Sequence, residues 1–426
     1  MAILFVCIAV CGCSKEPKYE GRTIKEWKLT LQKTEWPSRF AVVDVLGRIA
    51  KDEPRAIPLL ILALTDEQLE VRKNASAILG RMGPSVVPEL INVLKTDDRR
   101  AWAWAAHALG AIGEDAKVAI PDLVRVLDSP EQEVREEVAT ALGLFGPAAA
   151  DAIPGLIELL DDEDPVLRKI AVRSLGSVGT AQPEKVIPVF IKGLSDKYED
   201  VQNACIDGLK RQGPAAITAM IAALPTLDVS QRRGIVFSLG DMGNTSAEVI
   251  TALINTLRDE HADVRKDSAT ALARLGEGAS AAIPALVAAM NDEVAKVRAT
   301  AMEAIGKIGT EDPNVIPPLI AGLNDKEDKV RMNAAWTLGA LPDVSTSALP
   351  ALIVALHDAN PGIQRQVAEA LGQFGSAGVE AIPALTDLAQ DTQDEGVKQA
   401  ALEALKTINV PGYESNPPPP PPPQMP

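Results

Sequence analysis

In the stretch EVREEVATALGLFG, residues 133–146, Val134, Val138, Ala141 and Leu142 recur at helical spacing with charged and polar residues between them, and glycines close the run. That spacing predicts one apolar stripe on an amphipathic helix. Counted back from Gly143, the frame is Val at −9, a basic residue at −8, a small or aliphatic residue at −5, Ala at −2 and Leu at −1. The same frame fits VRKNASAILG ending at Gly80, LRKIAVRSLG at Gly176, VRATAMEAIG at Gly306 and VRMNAAWTLG at Gly339. Weaker copies end at Gly47, Gly110, Lys210, Gly240, Ala273, Gly372 and Lys406, which makes twelve.

A second signature stands upstream of most copies, as AIPLL at 56, AIPDL at 119, AIPGL at 152, VIPVF at 186 and AIPAL at 282 and 381. Pro284, Pro317, Pro350 and Pro383 are each 33 residues apart, as are Pro88, Pro121 and Pro154. Proline is tolerated in a helix's first turn, where its missing N–H has no partner, so AIPxL predicts the start of a helix A. A polar turn containing Asp follows, as in LTDEQ and LDDEDP, and is expected to supply N-cap oxygens to a helix B carrying VRxxAxxALG. Glycine near the end of helix B serves as a stop or a close-packing position, and a second glycine closes the unit. One such hairpin cannot bury its own apolar faces, whereas a stack of neighbours can. The predicted fold is all-α, a right-handed α-solenoid superhelix of about twelve two-helix repeats.

The consensus AIPxLxxxLxDxxxxVRxxAxxALGxIG resembles the HEAT repeat, in the short bacterial form associated with phycobilisome lyases, over roughly residues 27–409. The resemblance implies a solenoid whose B helices line a concave surface. It implies little about activity, because such repeats occur in scaffolds, adaptors, membrane-associated assembly factors and a few bilin lyases.

Composition agrees with closely packed helices: 46% of residues are hydrophobic but only 3% are aromatic. The net charge of −16 opposes a phosphate backbone, so no nucleic acid partner is expected. Acidic turn edges would favour partners with basic patches, in a salt-sensitive way. Of four cysteines only Cys205 lies in the repeats, and the spacings that mark zinc or redox sites do not occur.

The two ends read differently from the repeats. MAILFVCIAV is too short to span a bilayer and runs into Cys11-Gly12-Cys13, which resembles a bacterial lipobox. Gly12 is a good residue to precede the lipidated cysteine and Val10 a poor one, so Cys13 is the expected lipidation site. The expected organisation is a signal peptide over 1–13, a polar tether over 14–26, the solenoid over 27–410 and a Pro-rich disordered tail over 411–426. No Lys or Arg precedes the apolar run, which points to a start further upstream. Seven consecutive prolines, Pro417 to Pro423, predict a polyproline II segment, either a spacer or a ligand for an aromatic groove.

Arg39, Arg72, Arg135, Arg168, Arg232, Arg265, Arg298 and Arg331 share the −8 position, so with the turn aspartates they predict a structural ladder between repeats, since an active site is used once and not in every layer. Positions −7, −6 and −3 are expected on the exposed face of helix B. Trp104 and His107 fall there in one repeat, and Phe237 and Trp336 in others. Two readings stay open for these aromatics: anchors for a protein partner, or local repacking of a variant repeat. His107, His261 and His357 lie in different repeats and suggest neither a metal nor acid–base chemistry.

The expected function is therefore a non-enzymatic protein-binding scaffold or adaptor at a membrane surface in the bacterial cell envelope, with no cofactor and no small-molecule substrate. Two rivals are a lyase-like or chaperone-like factor for a prosthetic group, and a self-assembling structural protein of the envelope.

Overall fold

The computed structural model describes residues 17–409. The expected signal peptide with Cys13, and the Pro-rich tail, lie outside them. The described residues form 24 α-helices joined by turns and short 3-10 segments, and their only β-type pairing is a bridge between Tyr19 and Arg22. The helices pair in chain order into twelve hairpins, and the protein is an all-α solenoid. The chain divides after Gln212 into two compact units, the first ending with the sixth hairpin and the second beginning with the seventh.

Helix A is short and starts where the proline predicts. Ile57–Ala63, Ile120–Val126, Ile283–Ala289 and Leu349–Ala355 all carry proline in their first two positions. In the sixth repeat the helix begins earlier, at Pro183, and carries Pro188 inside it.

The two glycines of helix B divide their work. The first packs: a Cβ on Gly110 would lie 2.9 Å from Cα of Ala141, and one on Gly240 or Gly339 would lie 2.7 Å from Cα of Ala271 or Ala370. Each of those alanines is the −2 residue of the next repeat, so the recurrent Ala and Gly are two sides of one backbone contact. The second glycine stops the helix with a left-handed φ that L side chains rarely adopt, as at Gly83 (72°), Gly113 (75°) and Gly276 (58°). The −1 leucines Leu79, Leu109 and Leu142 and the helix A leucines Leu60, Leu90 and Leu123 are fully buried. Each contributes about 1.5–3 kcal/mol by leaving water.

Asp164 and Asp228 cap their B helices as expected, accepting the N–H of Val166 and of Gln231, but most turn aspartates do not. Asp66, Asp196, Asp259, Asp292, Asp325 and Asp358 each stand two residues before the N-cap, and Oδ1 accepts the N–H of the cap residue itself. That Asx turn orients the carboxylate toward the arginine of the preceding repeat. Arg265, for example, donates from Nε to Oδ2 of Asp292 at 2.7 Å and from Nη2 to Oδ1 at 2.9 Å, while its Nη1 donates to the Asp259 carbonyl of its own turn at 2.8 Å. Equivalent pairs join Arg39 to Asp66, Arg135 to Asp162, Arg168 to Asp196, Arg232 to Asp259, Arg298 to Asp325 and Arg331 to Asp358. The predicted ladder is present. Each arginine ties its own turn to the next one.

Residues 17–26 of the expected polar tether are described, and they are tied to the first repeat. The Tyr19 hydroxyl donates to Glu53, Glu20 pairs with Arg48, and Thr23 caps a helix that starts at Ile24. The indole of Trp27 donates to the Tyr19 carbonyl, so the segment is held against the first repeat.

Candidate partner-binding surface

With frame residues committed to packing, chemical variety falls on the −7 and −3 positions of the B helices. In the first unit these include the exposed or half-buried Phe40, Lys73, Thr140, Arg173 and Asp207. In the second they include Arg233, Phe237, Lys266, Thr270 and Glu303, exposed or half-buried.

The tryptophans depart from that rule. Trp104 and Trp336 are each only 3% exposed, so neither is the exposed anchor that its position suggested. The cause is a recess between B helices where the preceding repeat carries small residues. A Cβ on Gly306 would lie 2.5 Å from the Trp336 ring, which fills that space. In the third repeat, helix B runs Trp102–Ile112. The Ser76 hydroxyl of the preceding B helix, Leu69–Met82, donates to the Trp104 carbonyl at 2.9 Å and lies 2.8 Å from Nδ1 of His107. With its one proton directed at that carbonyl, Ser76 must accept from His107, which fixes the Nδ1–H tautomer. Burial, with the Lys73 ammonium nearby, holds the His107 imidazole below the ordinary histidine value. The Trp104 and His107 rings lie 5.5 Å apart. The structure thus brings Trp104 and His107 together but places them mostly in the core.

The same region breaks the ladder. Thr96 and Ser129 stand where the third and fourth turns would carry Asp, and Trp102 stands in the arginine position. The Arg72 guanidinium lies 5.8 Å from the Trp104 ring, and neither its Nε nor the Trp104 indole N–H, both buried, has a hydrogen-bond partner. On the next B helix, burial with Glu133 and Glu136 alongside pushes the Glu137 carboxyl up to about 7, against a smaller opposing effect of Lys73. Sequence reasoning missed Glu137, a third carboxylate in EVREE at the −6 position that Trp104 holds in the preceding repeat.

Of the candidate aromatics Trp104, Phe237 and Trp336, it is Phe237 that stays accessible, at 46% exposure, and the Arg274 guanidinium stacks 4.2 Å from its ring centre. Grooves run along the B-helix face. One of about 450 Å³ in the first unit is lined by Thr140, Arg173, Asp207 and Arg211. Another, about 560 Å³ in the second unit, is lined by Lys266, Arg274, Lys296, Lys307 and Lys329 and was also missed. Its signal was available: Arg274 and Lys307, like Lys296 and Lys329, are 33 residues apart.

Other chemistry is sparse. Among the described residues no group of His, Cys, Asp and Glu is placed to hold a metal ion, and no helix is long and apolar enough to cross a membrane. Cys205 is buried, which pushes its thiol up to about 12 and leaves it unreactive at neutral pH.

Among solved structures, Kap121p aligns with a TM-score of 0.69 at 12% identity, over 90% of this chain and 49% of its own. Kap121p bound to the extreme C-terminus of the protein phosphatase Cdc14p aligns at 0.68, with the same identity and coverage. The Kap95:Nup1 complex aligns at 0.58 and 15% identity, over 90% of this chain and 61% of its own. The chain therefore spans about half to three fifths of these proteins, and at such identities the likeness is one of fold. No curated protein matches the chain. The HEAT repeats family model matches residues 57–132, 120–210, 217–306, 250–328, 283–353 and 316–406, which together take in most of the chain. The chain belongs to the HEAT-repeat family.

Proposed function

We propose that this protein is a non-enzymatic scaffold that holds protein partners against its B-helix face, anchored to a membrane surface by acyl chains on Cys13. The observation that carries the binding role is the division of labour along helix B: packing and ladder residues recur, while the outward −7 and −3 positions differ from repeat to repeat. A surface that varies over a constant frame is suited to recognition by many weak contacts. The fold likeness supports the same reading, since Kap121p binds the extreme C-terminus of Cdc14p and Kap95 forms a complex with Nup1. The anchor rests on the lipobox-like sequence at Val10-Cys11-Gly12-Cys13.

Two measurements test the halves separately. Metabolic labelling with radioactive palmitate should mark the wild type and not Cys13→Ser, and equal labelling of both removes the anchor. Crosslinking in the native envelope should join the B-helix face to a defined protein partner. Recovery of nothing but the chain itself would favour self-assembly.

A further inference from the structure

The groove in the second unit differs in charge from the molecule that carries it. The whole chain has a net charge of −16, yet five cationic side chains surround this groove and Glu303 is its one lining carboxylate. The cations come from three successive B helices, Ala262–Leu275, Ala295–Ile308 and Asp328–Ala340. Most are lightly held. Lys266 pairs at 3.0 Å with Asp267, a carboxylate that Arg233 also holds at 2.7 Å, Lys296 pairs at the surface with Asp263 at 2.6 Å, and Arg274 reaches Asp241 only at 3.9 Å. Lys329 forms no ion pair among the described residues. At the groove floor Asn333 donates its amide N–H to the Ala299 carbonyl at 2.8 Å, which leaves its buried Oδ1 as an unpartnered acceptor. Beside the groove stands the exposed ring of Phe237 with Arg274 stacked on it.

Resting on the scaffold reading, we propose that this groove is the docking site for an extended acidic peptide segment of a partner protein. The segment lays carboxylates along Lys266, Lys296 and Lys329 and one apolar side chain on Phe237. The surface ion pair to Asp263 is worth little in water, and Asp267 keeps Arg233 when Lys266 turns away, so a partner's carboxylates exchange for both at small cost. From the seventh to the tenth B helix there are three steps of about 10 Å, a span that about nine extended residues cover. Charge complementarity selects the occupant, and the acidity of the rest of the chain repels an acidic segment from other faces.

The test is fluorescence anisotropy on the full chain with three labelled nine-residue peptides of one design, with a central Leu flanked by Glu, by Gln or by Lys. The Glu peptide should bind at least about tenfold more tightly than the Gln peptide and lose most of that advantage between about 50 and 300 mM salt, a range over which screening tightens markedly. Lys296→Gln with Lys329→Gln should cost about tenfold, and Lys296→Glu with Lys329→Glu more, with helicity by circular dichroism unchanged. Equal binding of the three peptides, preference for the Lys peptide, tighter binding of a single-stranded oligonucleotide, or indifference to the charge-reversed pair would overturn the proposal. Envelope crosslinking separates the two levels. An unchanged partner set in the charge-reversed variant, without Glu-peptide binding, defeats the groove and leaves the scaffold standing. No partner for either protein defeats the scaffold itself.

Discussion

Repeats two to four and repeats eight to ten are built on one frame and solve the same problem differently. In the later region every rung of the ladder is present, from Arg265 with Asp292 to Arg331 with Asp358. In the earlier region two successive rungs are gone, and a Trp–His–Ser cluster occupies the adjacent layer. The comparison separates two jobs of the −8 residue. Trp102 donates its indole N–H to the Thr96 carbonyl six residues back, the bond that Nη1 of Arg265, Arg298 and Arg331 makes to its own turn. Gln202 and Gln364 make it too. The local bond is thus kept at these positions where the arginine is lost, and the bond between repeats is what gives way. A turn's backbone carbonyl must be satisfied in every repeat, whereas the link to the next repeat can be replaced by apolar packing.

If packing does replace the rung, Trp104 is the most costly side chain to remove. Trp104→Ala should lower the stability of the first unit by about 3–5 kcal/mol, as for other large-to-small changes at buried aromatics, and urea unfolding followed by circular dichroism measures it. A loss below about 1 kcal/mol would mean that the ring works as a surface anchor and the cluster is no substitute. Trp336→Ala should cost a similar amount within a region whose ladder is whole.

Next comes the rung itself. Arg298→Ala removes both bonds and should cost about 2 kcal/mol, whereas Arg298→Gln keeps the local bond as Gln202 does and should cost about half as much, allowing for a pair that is largely but not wholly shielded. Equal losses for the two variants would show that the local bond contributes nothing. The reverse experiment belongs to the earlier region. Thr96→Asp restores the missing carboxylate two residues before the cap position and offers Arg72 the partner its Nε lacks. It should raise stability by about 0.5–1 kcal/mol. A neutral result would say that Trp104 has already closed that space.

These regions were not equally legible in the sequence. The hairpins, the proline starts and the arginine ladder were, because each recurs with one period and periodic features must serve the packing that every layer shares. The place of Trp104 and Trp336 was not. Assigning −6 and −3 to an outward face presumes neighbours of average size, and Gly306 and Ser76 are smaller than that, so the large rings turn into the gaps. Except at Asp164 and Asp228, which do cap, the aspartates misled by two residues for a related reason: a cap and an Asx turn preceding a cap use the same residue type, and the arginine opposite decides between them. The basic groove was written in the 33-residue spacing of its lysines, but a strongly negative total charge masks a local reversal.

The smallest difference between the regions concerns pH. Glu137 lies beside the broken rungs, and burial together with Glu133 and Glu136 lifts its carboxyl to about 7. The unfolded chain holds that proton only to an ordinary carboxylate value of about 4.3. Between those two values the folded state binds more protons than the unfolded one, so the contribution of Glu137 to stability is full below the lower value and is lost as pH rises toward 7. Burial of an ionised carboxylate is what removes it. In the eighth repeat Lys266 and Asp267 hold the −7 and −6 positions as an ion pair at 3.0 Å. The first unit should therefore lose thermal stability between about pH 5 and pH 7.5 more steeply than Glu137→Gln, which cannot ionise there, and the variant should be the more stable protein at the alkaline end. Melting curves of both proteins across that range decide it. Parallel slopes would mean that Glu137 stays hydrated, and that the break in the ladder alters packing without altering charge.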